Sequence, residues 1–112
     1  MQMHQIRYFV ALCEEGNFTR AARRSGVSQP SLTNAISALE RELGGPLFQR
    51  KPSVAMTALG CAIQPYMQRI AESADQALQT ARAVGQMSAV AVSAGREEAP
   101  QYVHAMQQNR PN

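Results

Sequence analysis

Gln29, Ser31, Thr33, Asn34 and Ser37 place amides and hydroxyls on one side of a stretch whose other side carries Leu32, Ile36 and Leu39. Amides and hydroxyls both donate and accept hydrogen bonds, and none of these five side chains is charged. A face of that kind at the N-terminal end of a helix has the chemistry to read base edges in a DNA major groove. An ordinary amphipathic surface helix shows the same pattern, so the stretch alone leaves both readings open.

The flanking residues say how such a face would be positioned. Gly26 can adopt a left-handed backbone and end a preceding helix. Ser28 is a favourable N-cap, and Pro30 falls in the first turn, where a missing N–H costs nothing. Together they predict a helix over about 28–43, stopped by Gly44-Gly45-Pro46. Upstream, Ile6, Phe9, Val10 and Cys13 recur at i, i+3, i+4 and i+7, which predicts a helix from His4 to Glu15 ended by Gly16. Asn17 is placed to cap a second helix from Phe18 to Ser25. Its small pair Ala21-Ala22 permits the close approach that a helix-turn-helix corner needs, and Val27 can plug that corner. Phe9, Val10, Phe18, Leu32, Ile36 and Leu39 are the expected core. Glu40, Arg41 and Glu42 are expected to face solvent rather than to act, with a glutamate bracing a nearby arginine as the lesser alternative.

The net charge of +3 is unevenly distributed. Residues 1–56 carry seven basic and four acidic side chains, and residues 57–112 carry four of each. Between Gly16 and Leu39 stand Arg20, Arg23 and Arg24 with no acid. A basic field beside a polar helix suits phosphate contacts. Leu47-Phe48-Gln49-Arg50 and Val54-Ala55-Met56-Thr57 flank Lys51-Pro52-Ser53 and predict a two-stranded wing. Arg50 and Lys51 at its turn are candidates for phosphate or minor-groove contact.

Thr57 is placed to cap a long helix reaching about Gln86. Ile63, Met67, Ile70, Ala74, Ala77, Ala81 and Val84 are spaced alternately by four and three, a heptad seam. A helix of that length is not stable alone, so a partner helix is expected along the seam. Pro65 is expected to bend it slightly. Beyond it, Val90-Ala91-Val92 predicts a short strand and Ala99 to Gln108 a helix, pieces too few for a core.

Other classes find little support. No apolar run approaches the ~20 residues of a membrane span, and no secretory signal pattern opens the chain. Cys13 and Cys61 form no CxxC pair, which suggests two buried free thiols in a cytoplasmic protein and no metal or other cofactor site. For an enzyme, a chain with Asp75 as its single aspartate, no histidine near a carboxylate or cysteine in sequence, and no glycine-rich phosphate loop offers poor material. His4 is assigned no chemistry.

One combination of residues is far more specific than any piece of it. Phe9-Val10, Gly16-Asn17-Phe18-Thr19-Arg20-Ala21-Ala22, Val27-Ser28-Gln29-Pro30-Ser31-Leu32-Thr33, Ile36, Leu39-Glu40, Leu43-Gly44, Leu47-Phe48-Gln49-Arg50 and Thr57-Ala58-Leu59-Gly60 resemble the N-terminal domain of LysR-type transcriptional regulators over about residues 3–86. The resemblance implies a mainly α fold: a winged helix-turn-helix over 1–57, three helices plus a short wing, then a linker helix over 58–86 that pairs antiparallel with a second subunit. Residues 87–112 would be the start of a missing effector-binding domain or a tail, so that a fragment, a truncation and a naturally short protein stay open.

Family roles fall on matching positions. Gln29 and Pro30 resemble a base-contacting pair. Thr19 and Arg50 resemble backbone contacts, and Arg20, Ser28, Ser31, Thr33, Asn34 and Lys51 complete the expected DNA-binding surface. Thr33 stands where the family usually has serine, and Asn34 where it often has arginine, a change that alters which operator is read. Ile63, Met67, Ile70, Ala74, Ala77 and Ala81 are the expected dimerisation residues. The implied partners are double-stranded promoter DNA and a second copy of the chain, with higher oligomers open to a full-length protein. No small-molecule inducer site is expected in this stretch. A different class of function is an interaction protein that pairs with full-length relatives through the linker helix and blocks them.

Overall fold

Three short helices each carry an apolar face that only the others can cover. In the computed structural model, which describes residues 1–93, these are α1 (Met3–Glu15), α2 (Phe18–Ser25) and α3 (Gln29–Leu43). A two-stranded antiparallel wing follows, β1 (Phe48–Gln49) paired with β2 (Ala55–Met56), Phe48 opposite Met56 and Gln49 opposite Ala55. Helix α4 (Ala58–Ser93) comes last. The described chain divides into a first unit, Met1–Ala74, and a second beginning at Asp75.

The core of the first unit joins Ile6, Phe9, Val10, Ala11 and Leu12 of α1, Ala21 and Ala22 of α2, and Leu32, Ile36 and Leu39 of α3. Leu47 and Phe48 close it from the wing. Phe9 and Phe48 pack with ring centroids 5.4 Å apart, and Phe18 meets Phe48 edge-on at 6.5 Å. Ala21 and Ala22 are fully or almost fully buried, as the close helix approach requires. Phe18 and Val27 are half-buried against this cluster and do not lie within it.

Helix α4 differs from the sequence expectation in two ways. It runs to Ser93, through Val90-Ala91-Val92, where the sequence predicts a strand. An isolated strand has no backbone partner, whereas a continuing helix satisfies its own N–H and C=O groups. Pro65 lies within this helix. The second difference is burial along the expected seam. Met67 is only 2% exposed and belongs, with Ala71, to the core of its own unit, and Ile63 packs against that core. Met67 is therefore occupied within its own unit, and Ile63 is partly so. Ile70 is 37% exposed and Tyr66 60% exposed, so the outward side of this part of α4 is displaced from the expected one. The expected helix over 99–108 lies outside the described residues.

The two thiols also separate. Cys13 is half-buried on α1, with its Sγ 3.6 Å from Met56 Sδ. Burial, with smaller repulsion from Glu14 and Cys61, pushes its pKa up to about 12, so it is a packed neutral thiol at neutral pH. Cys61 is exposed. The expectation of two buried thiols fails there because Cys61 sits on the solvent side of the first turns of α4. No helix among the described residues is long and apolar enough to cross a membrane.

The junction between wing and α4 is tightly made. Thr57 N–H donates to Leu47 O at 3.0 Å, its hydroxyl donates to Pro46 O at 2.6 Å, and the same oxygen accepts Gly60 N–H at 3.0 Å. Gly60 is buried so closely that a Cβ there would overlap the Leu47 carbonyl oxygen. Since that oxygen is fixed backbone, Gly60→Ala should destabilise the first unit by about 1–3 kcal/mol. Urea denaturation followed by circular dichroism measures this, and an unchanged midpoint would show that the wing yields freely.

Candidate nucleic-acid interface

The turn between α2 and α3 is three residues long, Gly26 to Ser28, and every one of them is fixed. Gly26 has φ 70 and ψ 31, and its N–H donates to the last carbonyls of α2, at Ala22 and Arg23. A side chain at this left-handed position would be strained. Val27 N–H donates to Ala22 O at 3.0 Å and its side chain packs on the core. Ser28 is extended, with φ −72 and ψ 154, and its Oγ accepts Ser31 N–H at 3.2 Å. The Ser28 hydroxyl also donates to Ser31 Oγ at 2.9 Å. Pro30 then occupies the first turn of α3. With both helices anchored in one core, the exposed end of α3 has a defined position and direction.

That exposed end carries Ser28, Gln29, Pro30, Ser31 and Asn34, with Thr33 half-exposed beside them. Gln29 is not free to turn. The Thr19 hydroxyl, on the first turn of α2, donates to Gln29 Oε1 at 3.0 Å. The amide oxygen thereby accepts one bond and keeps a second lone pair, and the NH₂ keeps its two donors. Thr19 is thus placed as a neighbour of Gln29, which sequence spacing of ten residues does not reveal.

The arginines of α2 are less free than the sequence suggests. Arg20 Nη2 donates to the Glu15 backbone carbonyl at 2.9 Å, and its Nε lies 3.7 Å from Glu15 Oε1. Arg24 pairs with Glu14 at 2.8 Å and Glu15 at 3.3 Å, and the Glu14 hydrogen bond foremost holds its guanidinium protonated. The acid-free run from Gly16 to Leu39 is acid-free in sequence only, because the end of α1 returns two carboxylates to α2. Exposed pairs of this kind are worth about 0–1 kcal/mol, so phosphate can replace the carboxylates at little cost.

At the wing, Lys51 is exposed. Arg50 is held on two sides: its Nη2 is 3.4 Å from Glu40 Oε1, and its guanidinium carbon lies 5.1 Å from the centroid of the Phe18 ring. Glu40 does not face solvent as expected. Its Oε2 accepts the Leu47 N–H at 2.7 Å and the Phe48 N–H at 3.5 Å. The cause is the tight Gly44-Gly45-Pro46 turn, which brings the start of the wing back over the last turns of α3. The glutamate satisfies backbone donors that the short strand leaves unpaired. Sequence periodicity cannot find such a residue, since it lies on the half-exposed margin of the helix. Among the described residues, no group of histidine, cysteine, aspartate and glutamate is placed to hold a metal ion.

Comparison with known proteins agrees with this geometry. The model of the family described as bacterial regulatory helix-turn-helix protein, lysR family, matches residues 3–61. The transcriptional regulator BudR of Klebsiella aerogenes is 42% identical over 85 residues, which are 75% of this chain and 59% of BudR. The regulator ClcR of Pseudomonas putida is 51% identical over 61 residues, 54% of this chain and 21% of ClcR. The chain thus spans less than two thirds of the length of these relatives. Among solved structures, the CbnR DNA-binding domain in complex with DNA is 38% identical with a TM-score of 0.68, covering 76% of this chain and 99% of that one. The BenM DNA-binding domain on catB site 1 DNA is 34% identical with a TM-score of 0.71, covering 76% and 97%. With its family match across all three helices and the wing, the chain belongs to the lysR family of bacterial regulatory helix-turn-helix proteins.

Proposed function

We propose that this chain binds double-stranded promoter DNA as a dimer and regulates transcription, with the N-terminal end of α3 in the major groove. The observation that carries this reading is the uncharged, hydrogen-bonding end of α3, Gln29 to Asn34, exposed on a helix whose position is fixed by the core and by the Ser28 cap. The structures of related domains on DNA support it. Gln29 reads a base edge with its amide, whose oxygen is steadied by Thr19 and keeps a lone pair beside the NH₂ donors. Pro30, Ser31, Thr33 and Asn34 line the same approach. Arg20, Arg50 and Lys51 contact phosphates and set register without reading sequence. The cytoplasm, where bacterial promoter DNA lies, is the compartment this activity requires.

For pairing, the reading changes its residues. Met67 is spent on the core, so the partner contact of the first unit falls to Ile70 with Tyr66, both exposed and large. In the second unit Ala77 and Ala81 are exposed and small, which suits close helix–helix approach. Tyr66, Ile70, Ser73 and Ala77 are spaced by four, three and four, and all four are exposed. That is heptad spacing with Tyr66 and Ser73 each one residue before a member of the expected seam. Ser73 is polar but small, so it permits approach without adding apolar burial.

Two measurements test these assignments. Gln29→Ala should cost about 1–3 kcal/mol on the specific site and leave binding to random DNA almost unchanged in a fluorescence titration. Equal losses on both DNAs would remove Gln29 from base reading. Ile70→Asp should give a folded monomer in sedimentation, because a carboxylate buried without a partner at a dimer interface is costly, and DNA binding should fall with it. By contrast Met67→Ala should cost about 2–5 kcal/mol of folding stability through the cavity it leaves, with the dimer retained. An Ile70→Asp protein that sediments as a dimer would show that pairing lies elsewhere.

A further inference from the structure

Arg50 stands where three elements meet. Phe18 from the start of α2 lies under its guanidinium, Glu40 from α3 faces its Nη2, and Arg50 itself begins the turn of the wing. The Glu40 side chain is 15% exposed, while that of Arg50 is 43% exposed. The carboxylate is anchored independently of the arginine, because its other oxygen accepts the Leu47 and Phe48 N–H groups. A guanidinium has five N–H donors in a rigid plane. One directed at Glu40 orients the plane and leaves other edges for a phosphate.

Resting on the DNA-binding reading above, we propose that Glu40 is a positioning residue that aims Arg50 at the DNA backbone. Phosphate contact by the wing then depends on the helix that carries the base-reading residues. A carboxylate near the interface repels DNA when considered as a charge alone. Its geometry argues the other way. An arginine without the pair must give up rotamer freedom on binding, whereas the paired one is already placed over Phe18. The wing's position relative to α3 is set by the same carboxylate, so groove reading and phosphate contact share one fixed frame.

The distinguishing variant is Glu40→Gln. Its amide oxygen still accepts the Leu47 N–H, so the backbone latch survives, but its NH₂ opposes the Arg50 donors. Because a phosphate contact is independent of sequence, a random duplex is a sufficient probe, and binding is measured across a range of salt for the full chain. Thermal melting establishes that each variant is folded. Glu40→Gln is expected to weaken binding about tenfold, the size of a coupling between neighbouring groups, with the salt slope nearly unchanged. Arg50→Ala should weaken binding and lower the slope by about one unit per protomer. In the Arg50→Ala background, Glu40→Gln should have no further effect, which a purely structural role for Glu40 would not produce. Tighter or equal binding by the single Glu40→Gln variant would overturn the proposal, since Glu40 would then only mask a charge. A further loss in the Arg50→Ala background would overturn it too, since Glu40 would act through the wing backbone. Failure of the DNA-binding reading is separable: the unaltered chain would not prefer any promoter fragment over the random duplex.

Discussion

Mutual burial of three helical faces is the constraint on which the first unit depends. With 13, 8 and 15 residues, α1, α2 and α3 are at or below the length at which an isolated helix persists in water. Their stability is tertiary: Phe9 and Leu12 of α1 and Leu32, Ile36 and Leu39 of α3 are fully buried, with Ala21 allowing α2 to approach. The same burial is what aims α3. Its core-facing side cannot rotate without exposing leucine and isoleucine, so its polar side is held outward as a consequence of packing.

Electrostatics then divides the surface. The N-terminal end of α3 carries no charge, and three cations near it are paired with carboxylates, Arg20 and Arg24 with those at the end of α1 and Arg50 with Glu40, while Lys51 stays exposed. An uncharged reading surface discriminates by hydrogen-bond geometry, since amides and hydroxyls lose more from a mismatched base edge than a long-range charge does. Paired cations reduce indiscriminate attraction at a distance, yet exposed pairs are weak enough to exchange for phosphate on contact. The modest overall charge of +3 fits such a division better than a uniformly basic face would.

How much of this could be read from the chain follows from what each feature depends on. Periodicity, caps and glycine stops are local, so the three helices, the Ser28 cap, the Asn17 cap and the wing were legible, and so was the polar end of α3. Contacts between distant residues were not. The Thr19–Gln29 bond, the return of Glu14 and Glu15 onto α2, and the fold-back of Glu40 onto the wing each need the chain to be closed in three dimensions. The seam on α4 shows a different limit of sequence periodicity. Two heptad spacings one residue apart both offer a bulky side chain beside Ile70, Met67 in one and Tyr66 in the other. Only the position of the core decides which of them turns inward. Val90 to Val92 read as a strand because β-branched residues favour one, but propensity yields to a helix already propagating through the preceding turns.

Under the proposed pairing, the displaced seam would let a single helix serve two surfaces. Met67 and Ile70 are three residues apart, about 300° around a helix of about 3.6 residues per turn, so they point in directions about 60° apart. Met67 can then fill the core of its own unit while Ile70 stays open beside it, and no side chain has to serve both. Were the first register the outward one, dimer contact would compete directly with the packing of α4 in its own unit. A substitution there would then weaken folding and pairing together. In the proposed pairing, giving the core to Met67 and the partner to Ile70 would let pairing strength vary while the packing that orients α3 is left intact.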